Sequence, residues 1–130
     1  MRTINKRPIL SIIDHHTIMQ LLNHSEGTLL YNRLDADGLL SGIKKAKLVK
    51  EEALPGDVVK LNATVHLEDK DSKRMLQLTV VVPRQANIKE KKISVMSPVG
   101  IALLGCRKGD EVKWRVPAGK KYFRVLDVQH

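Results

Sequence analysis

Several residue types are scarce in this chain, and their scarcity excludes several classes of protein. The 130 residues include one cysteine, one tryptophan, one phenylalanine and two tyrosines. Cys106 can form no internal disulfide, and we interpret it as a small apolar residue without chemistry. No apolar run approaches the roughly 20 residues that span a bilayer, and the N-terminus lacks the apolar stretch of a signal peptide. We therefore expect one globular, cytoplasmic domain without membrane contact.

Acidic residues are outnumbered, and the excess of basic charge lies mainly in the second part of the chain. The formal net charge is +9; residues 1–55 carry 8 basic and 6 acidic groups, whereas residues 56–130 carry 15 and 8. The second part therefore has a net charge of +7. Such a field attracts polyanions, either nucleic acid or an acidic protein surface, and charge alone does not choose between them.

Catalytic and metal-binding patterns are also missing. Of the five histidines, His15 and His16 are adjacent and face different sides of a predicted helix, and His24 lies two turns further on. No zinc-ligand spacing, glycine-rich phosphate loop or nucleophile elbow is present. We expect no metal, no cofactor and no enzyme activity.

The N-terminal third has the periodicity of two short helices. Asp14 is a candidate N-cap for a helix with Ile18, Leu21 and Leu22 on one face and an end between Asn23 and Gly27. A second apolar stripe follows, made of Leu39, Leu40, Ile43 and Ala46. The two stretches predict a helical hairpin, and the segment Lys50 to Asp57, with Pro55 and Gly56, reads as a linker.

From Val59 the apolar period changes to two, which indicates strands. Alternation runs from Val59 to Leu67 and again from Leu76 to Val82, with the polar turn Glu68 to Lys73 between them. Ile93 and Val95 suggest a third strand. Val112, Trp114 and Val116 suggest a fourth, and after a turn at Pro117 to Lys121 the last strand runs from Tyr122 to Val128. We expect an antiparallel sheet of about five strands.

One short apolar helix interrupts the strands. In "SPVGIALLG", Ser97 suits the N-cap, Pro98 the first helical position, and Gly105 the left-handed position beyond the end, which predicts a helix from Pro98 to Leu104. Apolar residues nearly encircle this helix. We expect one side to pack on the sheet and the other to stay exposed as a contact surface.

Nucleic-acid binding has only partial support. The basic clusters Lys89 to Lys92 and Lys44 to Lys47 fit a solvated face as well as a phosphate-binding one, and the four aromatic residues offer few stacking platforms.

The segment "ISVMSPVGIALLGCRKGDEVKWRVPAGKKYFRVLDV", from Ile93 onward, resembles the C-terminal domain of the Gre family of bacterial transcription elongation factors. Its strand, Ser-Pro, short apolar helix, glycine, Gly-Asp turn and final hairpin occur in the same order. "LPGDVVKLNATVHLED", from Leu54 to Asp69, is still more similar to small regulators that share this domain. The resemblance then covers most of residues 34–130.

The resemblance implies a fold like that of FK506-binding proteins for residues 55–130, without prolyl isomerase activity. It also implies docking on RNA polymerase beside the secondary channel. The residues carried over for that contact are Ser97, Pro98, Val99, Gly100, Leu103 and Leu104. Gly105, Gly109 and Asp110 also match, and we interpret them as turn residues.

The N-terminal part departs from the Gre pattern. Gre factors carry a long coiled coil whose acidic tip helps to hold a catalytic magnesium ion, and the hairpin predicted here is much shorter. Its candidate tip carboxylates are Glu26, Asp35 and Asp37. We therefore do not expect transcript cleavage.

These observations together predict an α+β protein: a short N-terminal helical hairpin and linker in residues 1–54, and in residues 55–130 an antiparallel sheet like that of FK506-binding proteins with one short helix. The predicted function is an RNA polymerase-binding regulator of transcription. The alternatives are a basic nucleic-acid-binding module, a cleavage factor or prolyl isomerase, and a dimer whose seam is Leu39, Leu40 and Ile43.

Overall fold

A five-stranded sheet with one enclosed helix makes up most of the structure. The computed structural model describes residues 8–24, 43–116 and 119–130. In chain order the elements are β1 Ile9–Ser11, α1 Ile12–His24, β2 Lys47–Val49, β3 Thr64–Asp69, β4 Met75–Val81, β5 Lys92–Ser94, α2 Pro98–Leu103, β6 Glu111–Val116 and β7 Gly119–Gln129. Three short 3₁₀ helices lie between strands, at Glu51–Ala53, Pro83–Gln85 and Ile88–Glu90. The α+β class is confirmed.

The main sheet has the strand order β5-β4-β3-β7-β6, so β7 lies between β3 and β6. The apolar residues at every second position of β3, Val65 and Leu67, are fully buried. This is the consequence of a two-residue period with one dry face. The pairing of β3 with β7 shifts register between His66 and Leu67.

The prediction of a wholly antiparallel sheet is wrong at one edge. Strand β5 pairs parallel to β4, with Thr79 opposite Lys92. The chain leaves β4 at Val81 and passes through two 3₁₀ helices, Pro83–Gln85 and Ile88–Glu90, before it enters β5. Because this connection carries the chain back along the sheet instead of turning in a hairpin, β5 runs in the same direction as β4.

Strand β3 begins five residues later than the alternation predicted. Val59, Leu61 and Ala63 are buried as expected, but all three precede the strand. A turn lies between Val59 and the strand, in which the Ala63 N–H donates to the Lys60 carbonyl at 3.0 Å. Asn62 has a φ of 72°. Such a left-handed residue cannot continue a strand, although the alternation of buried residues survives.

Helix α1 begins at Ile12 and is capped by a different residue than predicted. The Ser11 Oγ accepts a hydrogen bond from the Asp14 N–H at 3.0 Å, so Ser11 and not Asp14 caps the helix. Ile18 is fully buried, and Leu21 and Leu22 pack partly buried against the same core. The apolar face of α1 is therefore confirmed.

A two-stranded parallel sheet, β1 with β2, was not predicted. This sheet holds residues 8–11 against the rest of the described structure. The Ile9 N–H donates to the Gly105 carbonyl, and the Lys47 N–H donates to the Pro8 carbonyl. Each strand has three residues, too few for a recognisable alternation.

The second predicted helix and the hairpin turn are mostly outside the described residues, as are Gly27, Leu39 and Leu40. Ile43 and Ala46 are buried in the core that also contains Leu10 and Ile18. Ile43 is 5% exposed, so the prediction that it belongs to an exposed dimer seam is wrong. In the part of the chain that the structure describes, no helix is long and apolar enough to cross a membrane.

Candidate docking site

Helix α2 and the loop before it form the candidate docking site, and Ser97 fixes where the helix begins. The Ser97 Oγ accepts from the Gly100 N–H at 3.1 Å and donates to the Ser94 carbonyl at 2.6 Å. Pro98 occupies the first turn, as predicted, and the helix ends at Leu103, one residue before the predicted end. The serine therefore caps the helix and ties it to β5 at the same time.

The remainder of α2 is inside the protein. The side chains that follow Val99 are all buried, with exposed fractions of 5% or less: Ile101, Ala102, Leu103 and Leu104. The expectation of an exposed apolar side is therefore wrong at Leu103 and Leu104. A helix of six residues with apolar side chains all round is stable only when its surroundings enclose it, and here it contacts both β5 and β6.

Two glycines allow this enclosure. A Cβ atom at Gly100 would overlap the Ser94 carbonyl oxygen and lie 2.9 Å from the Val95 Cα. At Gly105 the φ angle is +82°, and a Cβ would overlap the Pro8 side chain. Gly105 is confirmed as a left-handed turn residue, whereas Gly100 is required by the close approach of two backbone segments.

The accessible part of the predicted site is consequently small. Ser97 and Val99 are half-buried, and Gly100 is buried. Arg107 and Lys108 are exposed in the turn after the helix, where Arg107 pairs with Asp57 at 3.3 Å and its N–H donates to the Asp110 carboxylate at 2.8 Å. The surface offered around α2 is therefore the Ser97 to Val99 corner with basic residues beyond it.

Several basic side chains on or next to the sheet form ion pairs with carboxylates. Glu111 accepts hydrogen bonds from Lys70 at 2.8 Å and from Arg124 at 3.1 Å, and these contacts lower the pKa of Glu111. Lys121 contacts Asp69 at 3.1 Å and lowers the pKa of that carboxyl group. In the basic cluster from 89 to 92, by contrast, the one ion pair within the described structure joins Lys92 to Glu90.

A buried carboxylate in α1, that of Asp14, connects this helix to the turn before β3 instead of capping the helix. The Asp14 carboxylate accepts from the Leu61 N–H at 3.0 Å, 47 residues away, and burial raises the pKa of Asp14. Beside it Lys60 contacts Glu51 at 3.0 Å, which lowers the pKa of Glu51. The His130 ring contacts the Val58 carbonyl at 2.6 Å.

The three predicted hairpin-tip carboxylates lie outside the described residues: Glu26, Asp35 and Asp37. Within residues 8–24, 43–116 and 119–130, no three histidine, cysteine or acidic side chains come together as metal ligands. Cys106 is buried, and its Sγ donates to the Ala102 carbonyl at 3.1 Å, as suits a structural residue.

The fold and the capped Ser-Pro helix define a class of protein. Residues 54–130 match the family model described as "Transcription elongation factor, GreA/GreB, C-term", which is more than half of the chain. The chain therefore belongs to the GreA/GreB family, as the sequence resemblance predicted.

Particular relatives agree with this assignment. The chain is 29% identical over 117 residues to a transcription elongation factor GreA of Bartonella henselae, which covers 90% of this chain and 70% of the relative. It is 33% identical over 96 residues to the regulator of nucleoside diphosphate kinase of Escherichia coli K12, covering 73% and 71%. The solved structure of a prokaryotic transcription elongation factor GreA/GreB from Nitrosomonas europaea superimposes with a TM-score of 0.79 at 31% sequence identity, and the match covers 97% of this chain and 100% of the other.

Proposed function

We propose that this protein binds RNA polymerase through the corner formed by Ser97, Pro98 and Val99, beside the secondary channel, and modulates transcription in the cytoplasm without transcript cleavage. The observation that carries the proposal is the match of residues 54–130 to the GreA/GreB C-terminal domain, together with the Ser97 cap that holds this corner rigid. A rigid, partly apolar corner loses little conformational entropy when a partner covers it.

Leu103 and Leu104 have a supporting role in this proposal. Because Leu103 is fully buried and Leu104 is 4% exposed, neither side chain contacts a partner. They hold the position of α2 and therefore of Ser97. Gly100 acts in the same way, since it permits the helix to approach Ser94.

The experiment is a pull-down of purified RNA polymerase with wild-type protein and with Val99→Asp. A half-buried valine at the edge of the helix can be changed with less damage than Leu103, and circular dichroism checks the fold of the variant. We expect loss of polymerase retention by about tenfold or more, as for a change at the centre of an interface. The matched control is Ile13→Asp, at a residue that is 58% exposed on α1.

Equal retention of polymerase by the two folded variants would contradict the location of the site. Failure of the wild-type protein to retain polymerase at all would contradict the proposed partner. The absence of cleavage has its own assay: a stalled transcription complex should show no increase in transcript shortening when wild-type protein is added. An increase that disappears in Asp35→Asn with Asp37→Asn would overturn that part of the proposal.

A basic nucleic-acid-binding module is the second candidate, and one observation favours it. Lys89 and Lys91 are exposed on the loop before β5, and no ion pair involves them in the described part of the chain. Binding through such residues falls steeply with salt. It would be weakened by Lys89→Glu and left unchanged by Val99→Asp, which separates it from docking through the Ser97 corner.

A further inference from the structure

Strand β4 is longer than β5, its neighbour at the edge of the sheet. Within the described structure, β5 pairs with only the second half of β4, and the first half has no partner on that side. The Thr79 N–H donates to the Lys91 carbonyl at 2.9 Å, and the Val95 N–H donates to the Val81 carbonyl at 2.7 Å. Backbone groups at positions 79 and 81 therefore face β5. Alternation along a strand places Met75 and Gln77 on the same side. Since β5 begins at Lys92, opposite Thr79, no described residue pairs with them.

Exposed apolar side chains accompany the open edge. Met75 is 69% exposed and Leu76 is 40% exposed, although Leu76 lies opposite the fully buried Leu67 in β3. Ile88 is 89% exposed and begins the 3₁₀ helix Ile88–Glu90, directly before Lys91. Because Lys91 bonds to Thr79, Ile88 stands near the point where the edge becomes open. An open edge with apolar side chains favours added strands.

Positive charge lies at the two ends of this open edge. Lys73 and Arg74 precede β4, and Lys89 and Lys91 precede β5; all four are exposed. None of the four takes part in an ion pair within the described residues, whereas Glu90 nearby is paired with Lys92 at 3.1 Å. An occupant of the edge is therefore attracted if it carries negative charge.

We propose that the open edge of β4 binds an extended, acidic segment of a partner protein as an additional strand, in line with β5. The segment forms backbone hydrogen bonds with Met75 and Gln77. Its apolar side chains contact Leu76 and Ile88, and its carboxylates lie near Arg74 and Lys89. Backbone bonds supply affinity in this mode of recognition, and the side chains supply specificity. This surface lies on different elements from the Ser97 corner.

Charge and chemistry favour this occupant over two others. Two copies joined edge to edge would bring the lysines and Arg74 of one copy against those of the other, which like-charge repulsion disfavours. A nucleic acid would use the basic residues but leave the unpaired backbone groups and the apolar side chains without partners. The described edge also carries no aromatic side chain on which a base could stack.

The test uses the full chain, labelled with ¹⁵N, and a short synthetic peptide in which valine and isoleucine alternate with aspartate and glutamate. At saturating peptide we expect hydrogen exchange of the Met75 and Gln77 amides to slow by about tenfold or more, because the amides become hydrogen-bonded. Exchange at the Leu103 amide should not change. A peptide of the same pattern with lysine in place of the acidic residues should not bind.

Variants separate the edge from general charge effects. Arg74→Glu with Lys89→Glu should weaken peptide binding by about tenfold or more. Lys108→Glu, a charge reversal at an exposed residue in the turn after α2, is the matched control and should change binding far less. Gln77→Pro removes one of the N–H groups that would bond to the peptide, and an edge position tolerates proline. In this variant the peptide should no longer slow exchange of the Met75 amide.

Three results would overturn the proposal. The acidic peptide could leave the Gln77 amide unprotected in the folded protein. A single-stranded oligothymidine could shift the same residues at lower concentration than the peptide, which would assign the edge to nucleic acid. Light scattering could show a dimer in which the Gln77 amide is protected without peptide, which would assign the edge to a second copy.

Discussion

Helix α2 and the loop that begins at Ile88 are both apolar in part, yet their surroundings are opposite. The α2 side chains Ile101 to Leu104 are at most 5% exposed, whereas Ile88 is 89% exposed. The difference arises from position: α2 lies against both β5 and β6, whereas Ile88 lies on the connection from β4 to β5, before this edge strand begins. A short apolar run therefore does not reveal whether it belongs to the core or to a contact surface.

The largest effect is expected at Gly100. Gly100→Ala should destabilise the protein by about 3 kcal/mol or more, because the added methyl group meets backbone atoms of Ser94 and Val95 that have no room to move. Urea denaturation followed by circular dichroism measures the change. Gly56→Ala is the control, since a Cβ there has no atom within 4 Å, and it should be neutral or slightly stabilising. Equal losses in the two variants would contradict the close packing of α2.

Truncation of the core side chain Leu103 should have the next largest effect. Leu103→Ala removes buried methyl groups from a side chain with no exposed surface and should cost about 2–5 kcal/mol in the free energy of unfolding. Thermal or urea unfolding gives the value. A loss below about 1 kcal/mol would mean that α2 is not enclosed as described.

The Asp14 carboxyl group should produce a smaller effect that depends on pH. Burial raises its pKa in the folded state, so the folded protein binds the proton more tightly than the unfolded chain does. As the pH falls from about 7 towards about 4, this group therefore adds stability to the wild type. In Asp14→Asn the amide oxygen can still accept a hydrogen bond from the Leu61 N–H, but the variant lacks this gain in stability at low pH.

Unfolding free energies of wild type and Asp14→Asn, measured over that pH range, should therefore diverge in favour of the wild type as the pH falls. The lowered pKa values of Asp69 and Glu111 act in the opposite direction, but they are common to the two proteins and cancel in the difference. Glu51 does not cancel, because its charge helps to raise the pKa of Asp14, and this coupling is part of the expected difference. Parallel pH profiles would contradict the burial of Asp14.

The smallest effect is expected at Ile88. Ile88→Ala should change the free energy of unfolding by no more than about 0.5 kcal/mol, because the side chain is already in solvent. The same denaturation experiment as for Leu103→Ala makes the comparison direct. A loss similar to that of Leu103→Ala would show that Ile88 is packed, and would also remove the support it gives to the open β4 edge.

Local signals predicted most of the fold. The two-residue period identified β3, β4 and β6, the hairpin turn before Tyr122 indicated β7, and "SPVGIALLG" identified α2 with its cap. Sequence patterns failed where the structure depends on residues that are distant in the chain. The parallel direction of β5 depends on a connection of two 3₁₀ helices, and β1 and β2 are too short to show a period.

The candidate docking site, like the fold, was predictable only where it depends on residues that are close in the chain. The Ser97 cap depends on neighbours in the chain and was predicted correctly. The burial of Leu103 and Leu104 depends on strands before and after α2, so an apolar surface could not be distinguished from an apolar core. The open edge of β4 was missed because it depends on where β5 begins. The one large apolar residue in the polar stretch "RQANIKEKK", Ile88, was the available hint.

The interior position of β7 has a consequence for biosynthesis. Strands β3 and β4 are neighbours in the chain and can pair as soon as both are made, but β6 reaches β3 only through β7. Val65 and Leu67 of β3 therefore lack their β7 neighbours, Val128 and Val125, until Gly119–Gln129 has been made. A nascent chain that has not yet reached this strand exposes one backbone edge of β3 together with core residues, and such a surface is one that chaperones bind.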